Sequence, residues 1–190
     1  NTGTTIATLI APNSITEAKD AVDPGFDDDD TPVEAIAITS ASVSNGTLEF
    51  STNGTDFHPV VVSATESLLL DTADKLRFRP NTDFHGTAGT FTFRAWDQTD
   101  GNSNGNAGVD TTTNGGSTAY SSATDVAAIT VNNVNDAPVL DNTGALTLTD
   151  INEDDFTSAG DTVSAIIGSA GGDRITDIDP TPVEGIAVIS

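Results

Sequence analysis

The ten residues TPVEAIAITS at 31–40 return as TPVEGIAVIS at 181–190, so that Pro32 recurs as Pro182, an offset of 150 residues. The acids before each copy align as well, Asp27 and Asp29 falling on Asp177 and Asp179. Further upstream GTTIATLI (3–10) is matched by GDTVSAII (160–167), here with an offset of 157 from Gly3 to Gly160. The first copy therefore holds seven extra residues between the two anchors. They fall near SITEAKDAVDPG, where Ser14 and Glu17 read as a capping box and Pro24-Gly25 as a stop, which predicts a short helix. A period this long describes whole domains in tandem, not a solenoid of small units. With the seam at Ala137-Pro138, residues 1–136 are one repeat without its opening strand. Residues 137–190 are then the linker and the N-terminal part of the next.

Within the first repeat the apolar residues alternate. Leu48 and Phe50, then Leu76 and Phe78, then Phe91, Phe93 and Ala95 recur every second position, the pattern of strands with one buried face. Asn45-Gly46 and Asn53-Gly54 separate strand-like runs and supply the positive φ angles of tight hairpins. We read the Asn-Gly-Thr sequons at both places as these turns, not as glycan acceptors. Short strands, turn signals and no long helical periodicity predict an all-β sandwich.

Charge narrows the partners. The chain has 190 residues, with 29 Asp and Glu against 6 Lys and Arg and a net charge of −23. That surface repels nucleic acid and anionic lipid and attracts divalent cations. Hydrophobic residues are 36 %, enough for a thin β core. The absence of cysteine excludes disulfides, thiolate metal sites and cysteine nucleophiles. With no methionine, the chain is expected to be a piece of a longer protein. It carries no apolar run of membrane-spanning length and no export signal.

The segment VNNVNDAP (131–138) ends a strand in a cluster of oxygen-bearing side chains and a proline. It resembles the linker of the cadherin superfamily, in particular the bacterial cadherin-like, Ig-like repeats of large surface adhesins. AWDQTDG (95–101) resembles that family's Ala-x-Asp segment before the final hairpin. LTLTDINEDD (146–155) resembles its first strand and acidic turn, and RFRPNTDFHGTAGTFTFRAWD (77–97) the stretch that leads to the hairpin. The resemblance implies a Greek-key β-sandwich in tandem array. It also implies that acids at the seam clamp Ca2+ between successive repeats. Calcium takes six to eight oxygens at loop and strand ends. The candidates are Asp97, Asn135, Asp136, Glu153, Asp154 and the pairs Asp27/Asp29 and Asp177/Asp179. Asn132 and Asn133 stand where animal cadherins prefer acids, so such a site carries fewer charges. Ordinary turn chemistry with a solvated acidic face accounts for the same residues.

A second candidate is DGNSNGNAGVDT (100–111), whose Asp100, Asn102, Asn104 and Gly105 match the first half of a D-x-[DN]-x-[DN]-G calcium loop. The closing Glu is replaced by Thr111, and a polar hairpin tip explains the stretch equally well. GNSNG inside it formally matches G-x-S-x-G but lacks the helix that motif needs. His58 and His85 read as surface residues at strand edges, and no enzymatic activity is expected. Trp96 is either a sugar-stacking platform or a cap on the sandwich end. Arg77, Arg79 and Arg94 are expected on outward positions of neighbouring strands, paired with nearby carboxylates.

The expected role is a calcium-stiffened adhesive or extender repeat of a large extracellular, cell-surface bacterial protein, whose partners are its neighbouring repeats. Cell-surface glycan or protein, or identical chains in a filament joined by strand exchange, are further partners, the last because the first repeat lacks its opening strand. Nucleic acid and membrane insertion are not expected.

Overall fold

The computed structural model describes residues 2–10, 14–15 and 34–189. Asp27, Asp29 and all but the first two residues of the helix expected in SITEAKDAVDPG lie outside them. The chain divides into two compact units, Asn1–Asn132 and Asn133–Ser190.

The first unit is all-β. Its elements are β1 (Thr4–Thr5), the single turn α1 (Ile6–Leu9), β2 (Ala35–Val43), β3 (Gly46–Ser51), β4 (His58–Pro59), β5 (Leu68–Asp71), β6 (Lys75–Pro80), β7 (Gly86–Trp96) and β8 (Asp125–Val131). They form two four-stranded antiparallel sheets, ordered β1-β6-β3-β4 and β5-β2-β7-β8. The sheets share one core. Leu48 and Leu76 from the first meet Ile36, Ile38, Leu68, Leu70 and Phe91 from the second, with Ile6 and Ile10 closing one end. Each such side chain contributes about 1.5–3 kcal/mol by leaving water. The alternation on β3, β6 and β7 is thus the inward face of a sandwich.

Two turn expectations need correction. Asn45 does adopt a positive φ of 57°, yet β2 and β3 do not pair. Asn45 turns a corner from one sheet to the other. Gly46 then enters β3 because a Cβ there would lie 2.5 Å from the Arg79 carbonyl oxygen and press on the Phe78 ring. Asn53-Gly54 does lie in a β3–β4 hairpin, but within a longer loop. The Asn53 side-chain oxygen holds that loop by accepting from the N–H groups of Thr55 and Asp56.

The basic stripe also splits, since β6 and β7 lie in different sheets. Arg77 and Arg79 pair with the buried Glu49 across the β3–β6 ladder at 2.7 and 3.0 Å. Arg94 instead donates to the Ser121 carbonyl.

The second unit contains β9 (Val139–Leu140), paired antiparallel with β10 (Ile175–Thr176), and the short helix α2 (Val163–Gly168). Arg174 braces it, bonding Asp141 at 2.8 Å and the Ala170 carbonyl. The repeat is visible as local structure. Thr5 and Thr162 both stand at a helix N-cap with extended backbone, α1 and α2 begin on the next residue, and Ile10 and Ile167 are both buried.

The other copy behaves differently. In the first unit Ile36 and Ile38 are fully buried on β2, between β5 and β7. Their counterparts Ile186 and Val188 are 47 % and 91 % exposed and belong to no strand. A closely similar sequence is a central strand in the first unit, flanked by β5 and β7, and lies outside any strand in the second. Sheet pairing, not local propensity, makes it a strand.

Candidate functional site

The β7–β8 connection opens on Trp96, the last residue of β7, which is completely buried with Ala35, Ala37, Leu69, Ala119 and Tyr120. No face of its ring is offered for stacking. Its indole N–H donates to Asp100 Oδ1 at 3.2 Å, and the Tyr120 hydroxyl donates to Asp100 Oδ2. Asn102 adds its backbone N–H and its amide to the same carboxylate, at 3.1 and 2.7 Å. Burial works against the charge on Asp100, but these donors together hold its carboxyl below its ordinary value. Burial likewise pushes the Tyr120 phenol far up, and the adjacent Asp100 carboxylate adds to the effect.

The rest of the asparagine-rich loop is equally occupied. Asn104 donates to the buried carboxylate of Asp74 at 3.0 Å and accepts from the Asp71 N–H. Thr111 is buried and hydrogen-bonded to Ser67. Backbone bonds join Gly105 and Asn106 to Leu69, and Val109 to Ser67. The loop therefore covers the outer edge of β5. Asp100, Asn102 and Asn104 were read as the start of a cation loop. In the fold Asp100 and Asn102 bond each other and Tyr120, while Asn104 bonds Asp74 and Asp71. Asp97, at the end of β7, accepts from the N–H and hydroxyl of Thr99.

In the second unit the linker and the repeated DxD pair do meet. Asp179 accepts from the Asn133 amide at 2.8 Å and from the Asp136 N–H at 3.1 Å. Asp177 accepts from the Asp179 N–H at 2.9 Å, and Asn135 folds onto the Asp136 carbonyl. A hollow of about 250 Å³ beside them is lined by Pro138, Asp173, Asp177 and Glu184. Glu153 and Asp154 are exposed in a turn closed by the Asp155 N–H on the Asn152 carbonyl.

No family model, curated protein or solved structure matches the chain.

The seam residues offer only oxygens and amides, a hard donor set that suits calcium. Among the described residues, however, no three His, Asp or Glu side chains stand together closely enough to hold a metal ion. A cation at Asp177 and Asp179 would have to replace the Asn133 and Asp136 donors and draw further oxygens inward. Of the elements missed in the sequence, Glu49 is the clearest. Its burial opposes its charge, yet hydrogen bonds and attraction from Arg77 and Arg79 lower its pKa overall. The signal was present as Arg-x-Arg on one strand facing a lone Glu on another. It becomes legible only with the β3–β6 register, which sets Glu49 opposite Arg77.

Proposed function

We propose that this chain is an extender and adhesion repeat of a large extracellular surface protein, with calcium acting at the seam that begins each new repeat. The observation that carries the reading is the duplication of 31–40 at 181–190, one copy within the two-sheet first unit and the other within the second unit. A module of this kind set in tandem adds length and mechanical continuity. The strongly acidic composition keeps such an array soluble and open to cations.

The calcium part rests on the contacts among Asn133, Asn135, Asp136, Asp177 and Asp179. Side chains from the linker and from the repeated acidic motif converge there through hydrogen bonds, so an ion that displaced the Asn133 and Asp136 donors would find the carboxylates of Asp177 and Asp179. When bound it would supply the positive charge that lets these acids crowd together. No reaction is assigned to the protein, and the buried Trp96 gives no support to a sugar-binding role.

Thermal unfolding of the 190-residue chain in a calcium series and in chelator is the test. Half-saturation is expected at about 10⁻⁴ to 10⁻³ M, the range of extracellular modules, with the melting temperature rising as calcium is added. The double substitution Asp177→Asn, Asp179→Asn should abolish the rise. Identical curves in calcium and chelator would remove calcium from the account.

A further inference from the structure

The two sheets of the first unit have four outer strands, and three of them are guarded. β1 and β4 are two residues long, and β5 is covered by the 105–109 loop. β8 is seven residues long, and its sequence DVAAITV holds one charge, at its first residue. Among the described residues its far side makes no backbone hydrogen bond. Natural edge strands usually carry Lys, Pro or a cover against pairing, and among the described residues this one carries none.

Beside that edge the sandwich is open. A groove of about 230 Å³ runs between β8 and β6, lined by Leu48, Leu76, Phe78, Phe91 and Ile129, with Thr4 and Leu9 at its end. Arg77 sits on its rim, its guanidinium paired with Glu49. The groove floor is apolar, and Arg77 is the one cation among its described lining residues.

The second unit indicates what fits there. In it the segment 145–149, ALTLT, runs beside the repeat's counterpart of β1 and α1. Thr149 donates from its backbone to Asp161 and Thr147 to the Ser169 hydroxyl. Asp161 corresponds to Thr4 through the offset of 157. Thr4 lines the groove, so the groove occupies in the first unit the place this segment takes in the second. Leu146 and Leu148 are 46 % and 64 % exposed, alternate along the chain, and have no opposing sheet. Acids follow at once, at Asp150, Glu153, Asp154 and Asp155.

We infer that the groove and the free edge of β8 accept the 145–149 strand of a second copy of this chain. Leu146 and Leu148 fill the apolar floor, and alternate backbone groups extend the β8 ladder. Each chain then offers one donor strand and one acceptor groove, a heterologous contact that propagates head to tail. The contact does not depend on calcium.

The test is sedimentation of the 190-residue chain over a wide concentration range, in chelator. Oligomers that lengthen with concentration are expected. Leu146→Asp with Leu148→Asp removes the donor strand, and Ala127→Lys or Thr130→Lys charges the acceptor edge. Each variant should be monomeric alone, whereas a mixture of donor-dead and acceptor-dead chains should give a dimer and nothing longer. Trp96 fluorescence shows that the first unit remains folded, and Thr130→Lys, at an exposed position, serves if Ala127→Lys unfolds it. A parent chain that stays monomeric throughout, or variants that self-associate as the parent does, would overturn the inference.

Discussion

Asp100→Ala tests whether the asparagine-rich loop is a structural clamp. In the fold one carboxylate receives the Trp96 indole N–H, the Tyr120 hydroxyl and two donors from Asn102. Truncation leaves the fully buried indole N–H without an acceptor, which costs about 1–3 kcal/mol. Tyr120 loses a bond to a charged acceptor, worth about 1.5–3 kcal/mol when nothing replaces it. Asp100 is itself exposed, so water reaches the vacated position and recovers part of that loss. A net destabilisation of about 2–4 kcal/mol follows. Asp100→Asn keeps an acceptor for the indole and should cost about 1 kcal/mol. Urea unfolding read through Trp96, the sole tryptophan, reports directly on this end of the sandwich. The Ala variant should also show red-shifted native emission as water reaches the ring. A loss below about 0.5 kcal/mol with unshifted emission would refute the reasoning, because neither buried donor would then need the carboxylate.

Glu49→Gln should cost about 1–3 kcal/mol at neutral pH, since one acceptor replaces two and an amide faces a guanidinium. Because its pKa is lowered in the fold, the stabilisation from Glu49 is whole above the ordinary value of 4.5 and fades as pH falls through the folded value. The parent's advantage in urea should therefore shrink in acid. Asp74 has the opposite sign: burial raises its pKa, so its charge opposes folding increasingly as pH rises above 3.8. Asp74→Asn, with the Asn104 amide turned to match, should raise neutral-pH stability and leave it unchanged well below pH 3.8. Gly89 has φ +132° at the β7 irregularity, where a Cβ would lie 2.0 Å from the Ser42 carbonyl oxygen. Gly89→Ala should cost about 3 kcal/mol or more, seen as a lower melting temperature.

Period-two hydrophobicity was a sufficient guide to β3, β6 and β7, because a residue that must face a core every second position leaves that mark in any sheet. It could not say which strands pair. Asn45 has the backbone of a hairpin turn and serves as a corner between sheets, since a turn residue fixes a local angle and not the partner of the strand it begins. The 100–105 stretch illustrates the same limit. Asx side chains at alternate positions point into a loop, and the residues they meet in the fold, Asp74, Leu69 and Trp96, are distant in sequence and named by no local pattern. Trp96 was correctly placed at a strand end, but its burial depended on Ala35, Ala37 and Tyr120 arriving from elsewhere. The duplicated motif was the most informative feature. It aligns Thr5 with Thr162, and the structure shows both at the N-cap of a short helix, a feature the sequence signals only at Ser14.

Hydrogen exchange of the 190-residue chain in calcium and in chelator addresses the seam residue by residue. If calcium acts there, the amides of 133–136 and 177–179 exchange more slowly with the ion present, while those of β2 are unaffected. Equal exchange at the seam in both conditions, with calcium well above millimolar, would contradict the proposed role of the ion.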